Sequence, residues 1–255
     1  MGATEVRDAI RRAEFAGIEP LLRSGGTVVD LGAGPGLQTE LIRGLGNDVV
    51  ALDLPDGSYR PGPHMVWFDG VHLPLRTSSV DAVFSSHVLE HVEDLGGLFD
   101  ELRRVLVPGG IAVHVMPTAT WRMLGLVTRW KPIGGAVLRR CRGAAGRAAR
   151  GAAPTDDVAF PADRRNLLTS ILVPLPHGAH HSAAGELWAF SRFGWRRTLA
   201  DRGWTIDGPH PLGLAYSGTH AGPDPSMATR RRVARVIGSS SALWVLRPGS
   251  PATDG

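Results

Sequence analysis

The chain has a single cysteine, Cys141, which excludes an internal disulfide and argues against a zinc site built on thiolates. It has no uninterrupted apolar run near the ~18 residues of a membrane-spanning helix. Its start, MGATEVRDAI, lacks the apolar core of a signal peptide because Glu5, Arg7 and Asp8 interrupt it, so a cytoplasmic location is the expectation. Val6 stands where a myristoylation signal needs Ser or Thr. The most telling absence is of carboxylates. Between Leu102 and Thr155 there is none, although the chain has 24 acidic residues and an even spread would put about five there. Ten cations, from Arg103 to Arg150, occupy the same stretch, and Lys131 is the one lysine among them. The net charge of +4 therefore hides a strongly basic region.

What is present describes a folded protein. Of 255 residues, 43% are hydrophobic and 20% charged, as in water-soluble globular chains. A single domain of this size buries about 70–75% of its unfolded surface and needs no covalent staple. Residues Ala3 to Arg23 read as an amphipathic helix, broken by Ser24-Gly25-Gly26. Short β-branched runs then alternate with helical patterns. Strands are expected at Thr27–Leu31, Asp48–Asp53, His64–Phe68, Val80–Ser85 and Ile111–Met116, with helices at Leu37–Leu45 and Leu95–Leu106. Pro108-Gly109-Gly110 reads as the stop of the second helix. That rhythm calls for a parallel sheet covered on both faces. It pauses over Thr118–Ala184, expected to be an Arg-rich insertion capping the sheet, and resumes with a helix at Ser191–Arg202. A strand-like segment from Trp204 and a last strand at Ala242–Arg247 follow. Gly218 to Arg232 reads as a Pro-rich loop, and the tail from Pro248 as disordered.

The segment VVDLGAGPG, Val28 to Gly36, carries the most information. A buried strand runs into Gly32, Gly34 and Gly36, and a helix opens at once. Glycines let a chain turn tightly and let a ligand approach the backbone, while a new helix offers unpaired N–H groups to a carboxylate or phosphate. Asp53 ends the next strand, 21 residues after Gly32, the offset at which a carboxylate reaches ribose hydroxyls. NAD and S-adenosylmethionine both suit this geometry. Three details favour the second: Asp30 precedes the loop, where it can face a cationic amino group; GAGPG lacks the third-glycine spacing of the dinucleotide fingerprint; and Asp69 follows strand three, where an adenine amino group can be read. For Asp69 an ordinary Asp-Gly turn is the competing explanation.

On these residues the chain resembles the class I S-adenosylmethionine-dependent methyltransferases of the group with a GxGxG loop and an LEHV segment. The likeness is strong over Thr27 to Pro117, through DGVHLPL (Asp69–Leu75), SSHVLEHVED (Ser85–Asp94) and LRRVLVPGGIAVHVMP (Leu102–Pro117). It implies an α/β, Rossmann-like, doubly wound and mostly parallel sheet of seven strands. The last strand would be antiparallel and inserted beside strand five, with a helical lid after strand five. Residues 1–255 would form one domain and 118–184 its basic lid. The resemblance implies that Asp30 and the loop glycines Gly32, Gly34 and Gly36 hold the methionine part of the cofactor and Asp53 the ribose, with Ala33 and Leu54 also binding the cofactor. Asp69 and Gly70 would flank the adenine, with Ser86 and His87 on the wall near the sulfonium.

A general base helps when the acceptor is an alcohol, and histidine suits neutral pH. His87 and His91, four apart in HVLEH, are placed to share a helix face, but no third ligand accompanies them and no metal is expected. His177, His180 and His181 precede Glu186 and Trp195. This arrangement, with Pro117, Trp121 and Arg122, is similar to methyltransferases of cell-surface polysaccharide and lipid-linked glycan pathways. His87, His177 and His181 are the candidate bases. Trp121–Leu138 mixes aromatics, aliphatics and cations, and 121–150 suits either a membrane surface or a substrate carrying a phosphate and an apolar tail. No nucleic acid-binding module is recognisable. The expected activity is O-methylation of a glycan, lipid-linked or other small-molecule acceptor. An NAD-dependent oxidoreductase and a non-catalytic membrane-docking protein are the rival readings.

Overall fold

The computed structural model describes residues 3–55, 61–128, 183–200, 202–218 and 225–249. Seven strands form one sheet: β1 (Thr27–Leu31), β2 (Asp48–Asp53), β3 (Met65–Trp67), β4 (Val80–Ser86), β5 (Leu106–Pro117), β6 (Trp204–Pro211) and β7 (Ser241–Pro248). Their order is β3-β2-β1-β4-β5-β7-β6. β1 pairs in parallel with β2 and β4, β2 with β3, and β4 with β5. β7 runs antiparallel to both β5 and β6, so the last strand is inserted beside β5 as expected.

Helices cover both faces: α1 (Ala3–Phe15), α2 (Leu37–Arg43), α3 (Leu95–Val105), α4 (Ala183–Ala189), α5 (Arg192–Ala200) and α6 (Met227–Ile237). Residues 119–128 are also helical. The period-two alternation of the strands sorts their side chains into two cores. Val29 and Leu31 of β1, Val83 of β4 and Met116 of β5 pack with Leu98, Phe99 and Leu102 of α3. Val28, Ala82, Phe84, Val113 and Val115 pack on the other face with Phe15, Ile18 and Ile42. The side chain of Asp94 caps α3 by accepting the Gly97 N–H at 2.9 Å.

Several boundaries differ from the expectation. The first helix ends at Phe15 rather than Arg23, and a single 3-10 turn (Glu19–Leu21) follows, with Pro20 inside it. Pro108-Gly109-Gly110 does not end α3 ahead of a short strand. It lies within β5, whose register against β4 shifts between Val80 and Ala82, and Gly109 takes φ +81° there. A bulge absorbs residues that read as a stop. The segment HVLEH is not an α-helix, because His87 has φ +57° and only Leu89–His91 forms a 3-10 turn. The expected loop Gly218–Arg232 ends early. From Met227 the chain is helical, started by Ser226, whose hydroxyl accepts the Thr229 N–H at 3.2 Å. Pro248 closes β7, and residues 250–255 of the expected tail lie outside the described residues, as do residues 129–182 of the expected lid.

Candidate functional site

The carboxyl edge of a parallel sheet, where strand order reverses, is where an α/β fold leaves a crevice. Here β1 enters the glycine loop at that edge. The N–H groups of Gly32 and Ala33 both donate to Leu52 O, at 2.8 and 3.1 Å, which folds the loop against the end of β2. Gly32 has φ +70°, and a Cβ there would lie 2.3 Å from the Val88 side chain. Gly34 also has positive φ, but a Cβ there would meet nothing within 4 Å. The first glycine lets the chain after β4 close over the loop, and the second bares backbone to open space. Asp53 then ties the two strand ends together: Oδ2 accepts the Gly34 N–H and Oδ1 the Leu54 N–H, each at 2.7 Å.

A cavity of about 730 Å³ opens here, lined by Gly32, Gly34, Asp53 and Leu54 on one side, Phe68, Asp69, Gly70 and Val71 beyond β3, and His87 to Asp94 opposite. Among those last residues His87, Val88, His91, Val92, Glu93 and Asp94 reach the lining. The volume falls within the range of small-molecule and cofactor sites, about 300–1,000 Å³. Asp69 shapes its rim. Its Oδ1 accepts the N–H groups of Val71 and His72, at 2.9 and 2.7 Å, and Oδ2 meets His72 Nδ1 at 2.7 Å. The His72 contact, helped by the two backbone donors, lowers its pKa to about 2. The Asp-Gly turn and the cavity wall are thus the same feature.

His87 stands on the far wall in a left-handed conformation that costs a non-glycine residue about 1–3 kcal/mol. Its N–H donates to Val115 O at 2.9 Å. Its ring Nδ1 lies 3.4 Å from Oε1 of buried Glu90, and Nε2 lies 3.1 Å from Tyr216 Oη. Behind Tyr216 is a polar network that the sequence did not announce. Tyr216 Oη donates to Oε1 of Glu14 at 2.6 Å, Ser241 Oγ donates to the same oxygen, and Arg11 Nη1 donates to Oε2 at 2.9 Å. Glu14 is fully buried. Burial by itself would raise its pKa, yet Arg11, His87 and the two hydroxyls hold it below the ordinary carboxylate value. Burial, with the charge of Glu14, pushes the Tyr216 phenol well up. Tyr216 is therefore a neutral phenol whose proton belongs to Glu14. His87 Nε2 then donates to the phenol oxygen, while Nδ1 faces the Glu90 carboxylate, so the ring is held between two oxygens. Sequence did hold a signal for Glu14: it sits four residues after Ile10 on the buried stripe of α1. Tyr216 and Ser241 carry no such periodic mark.

Asp30 lies behind the loop and not on the cavity wall. It is buried, and Oδ2 accepts the Thr39 hydroxyl at 2.5 Å, which straps β1 to α2. Burial is the main reason its pKa rises from 3.8 to about 6, with the charge of Asp53 adding to it and Thr39 opposing. An acid that binds its proton more tightly when folded favours folding most below its unfolded pKa and loses that advantage as pH rises through its folded one. Asp30→Asn should remove that loss. Thermal melts of the variant and the wild type should diverge between pH 4 and 6, by up to about 3 kcal/mol of stability in favour of the variant at neutral pH. Parallel curves would mean that the carboxylate is not penalised where it sits.

Of the expected cofactor residues, Gly32, Gly34, Asp53, Leu54, Asp69, Gly70 and His87 share the cavity, whereas Asp30, Ala33, Gly36 and Ser86 do not line it. His177 and His181 lie outside the described residues. No group of three His, Cys, Asp or Glu side chains suited to a metal occurs among the described residues. The motif residues around the lid do converge: Arg122 Nε lies 2.6 Å from Glu186 Oε2, both buried. Trp195 Nε1 donates to Pro117 O at 3.0 Å, and Phe190 lies parallel to Trp195 and meets Trp121 edge-on.

Residues 29–114 match the family described as "Methyltransferase domain". A solved S-adenosylmethionine-dependent methyltransferase from Mesorhizobium loti is similar across 92% of this chain and 97% of its own, with a TM-score of 0.53 at 19% identity. The fold is a methyltransferase fold. Sequence relatives match over a shorter span. Demethylmenaquinone methyltransferase of Corynebacterium urealyticum is 38% identical over 93 residues, 35% of this chain and 40% of that protein. Ubiquinone biosynthesis O-methyltransferase of Caulobacter vibrioides is 28% identical over 146 residues, 50% of this chain and 55% of that protein. The chain thus spans about half or less of these curated relatives. The region matched by the methyltransferase family contains the glycine loop, Asp53, Asp69 and His87, while Glu14, Tyr216 and Ser241 fall outside it.

Proposed function

We propose that this chain is an S-adenosylmethionine-dependent methyltransferase acting on an oxygen of a small-molecule or lipid-linked acceptor. The observation that carries this is Asp53, bonded to the Gly34 N–H on the rim of a cavity whose opposite wall presents His87. Each Asp53 oxygen accepts one backbone N–H and retains a lone pair for a ribose hydroxyl. The open space before Gly34 admits the methionine portion along the loop, with Asp69 and Gly70 beside the adenine. The bound cofactor supplies an electrophilic methyl on a sulfonium whose positive charge vanishes on transfer.

The protein's part is to align the acceptor with that methyl and receive its proton. His87 is the base candidate on the cavity wall, and the imidazolium it becomes lies between Glu90 and the Tyr216–Glu14 pair. Carboxylates placed behind a histidine stabilise the cation it becomes. Oxygen as the acceptor atom is supported by this base and by relatives described as O-methyltransferases. A glycan or lipid-linked acceptor is supported by the acid-free, Arg-rich stretch Leu102–Thr155, whose cations suit a phosphate-bearing substrate.

The test is calorimetry with S-adenosylmethionine, S-adenosylhomocysteine and NAD⁺ in turn. Binding of the first two with none of the third is the expected result. Saturable NAD⁺ binding without the adenosyl sulfur ligands would return the oxidoreductase reading.

A further inference from the structure

We propose that α6, with the helical residues 119–128 beside it, is a docking surface for an anionic phospholipid membrane. The buried side of α6 is made by Arg230 and Ala234. On the side turned away from the protein, Val236 is 85% exposed, Ile237 44% and Val233 38%. Their spacing of three and four puts them on one stripe. Such a stripe on a surface helix normally faces a core, and here it faces solvent. Arg232 borders it, and Arg235 and Arg231 follow further round the outer side of the helix; all three are exposed, and α6 contains no acid. Among the described residues no salt bridge takes any of the three. An apolar stripe edged by cations matches the layering of a membrane interface, acyl chain beside phosphate.

Two further features extend the surface. Thr120 Oγ1 donates to Ile237 O at 3.2 Å, joining the end of α6 to the helical residues 119–128. There Met123 and Val127, four apart on that helix, are 53% and 60% exposed. On the Arg231 and Arg235 side a cavity of about 390 Å³ is lined by both of them with Leu212, Gly213 and Ser239, and two cations at one opening suit a phosphate group. A nucleic acid would use the cations but leave an almost fully exposed valine without a role, so a lipid surface accounts for more of the face.

The surface lies on the working edge of the sheet. Residues 238–240 connect α6 to Ser241 of β7, which pairs with Pro117 at the carboxyl end of β5, and the His87 N–H bonds Val115 two residues earlier. A membrane docked there faces the edge at which the cavity opens. Only this last step rests on the methyltransferase reading.

The test is sedimentation of the full chain with vesicles of phosphatidylcholine alone and of phosphatidylcholine mixed with phosphatidylglycerol. Co-sedimentation with the mixed vesicles and not the neutral ones is expected. Val236→Asp and the double variant Arg231→Glu/Arg235→Glu should each reduce the bound fraction about tenfold or more. Unchanged melting curves and unchanged calorimetric binding of S-adenosylmethionine would show that neither change reaches the fold or the cofactor cavity. No vesicle binding, equal binding to neutral vesicles, or full binding by both variants overturns the proposal. So does binding of inorganic pyrophosphate or of a single-stranded oligonucleotide by a chain that ignores vesicles. A wild type that binds vesicles but not S-adenosylmethionine would sink the proposed function and leave the docking surface standing.

Discussion

Replacing Glu14 with alanine is expected to lower folding stability by about 3–5 kcal/mol, the cost of removing one partner from a buried ionic pair. The carboxylate receives three donors from three parts of the chain: Arg11 on its own helix, Tyr216 after β6, and Ser241 at the start of β7. Without it the Tyr216 and Ser241 hydroxyls each lose an acceptor in the interior, and Arg11 loses its ion-pair partner. Smaller changes grade the effect. Glu14→Gln keeps the volume and one acceptor but faces Arg11 without charge, so it should fall between the alanine variant and Tyr216→Phe. The last leaves Glu14 paired with Arg11 and Ser241 and should cost about 1–2 kcal/mol. Urea unfolding of the three variants checks the order. Equal, small losses would mean that water replaces the donors and that the network is not sealed. Because Glu14 is a carboxylate with a lowered pKa, its contribution is present above the ordinary carboxylate range and lost as pH falls. The wild type should therefore approach Glu14→Gln in stability in acid.

The same network shows how far the sequence could be read. Wherever local chemistry and tertiary demand coincide, the reading is close. β1 and β2 run over the residues expected, Thr27–Leu31 and Asp48–Asp53, because β-branched runs bounded by glycine and polar residues meet a sheet buried on both faces. Asp53 meets the glycine loop for the same reason: spacing along one βαβ unit is a local property. The misreadings occur where a distant partner decides. Gly109 and Gly110 punctuate in isolation, yet β4 pairs with Leu106 before them and Ile111 after them, and the bulge between carries β5 through. His87 and His91 match a helical spacing, but Val115 captures the His87 N–H and turns the backbone into the left-handed region. α6 was hidden by the prolines before it, although Ser226 followed three residues later by Thr229 supplies its cap. Tyr216 lies 202 residues from Glu14, and no pattern within a window of sequence joins them.

Asp53→Ala is expected to weaken S-adenosylmethionine binding at least about 100-fold. A hydrogen bond to a charged group is worth about 1.5–3 kcal/mol, and two ribose hydroxyls lose such a partner together. The substitution also frees the Gly34 N–H, so the loop that faces the ligand is no longer tied to the end of β2. Asn at this position keeps one neutral acceptor and should lose about tenfold, since its remaining bond is not charge-assisted. Neither change should disturb folding by more than about 1 kcal/mol, because Asp53 stands half-buried at a strand end and touches the cavity rather than the core. The pairing of a large affinity loss with a small stability loss is what separates a ligand-binding carboxylate from a turn acid. If titration calorimetry finds wild-type affinity in the alanine variant, the ribose lies elsewhere, and the roles given to Gly34, Asp69 and His87 around it must be reassigned.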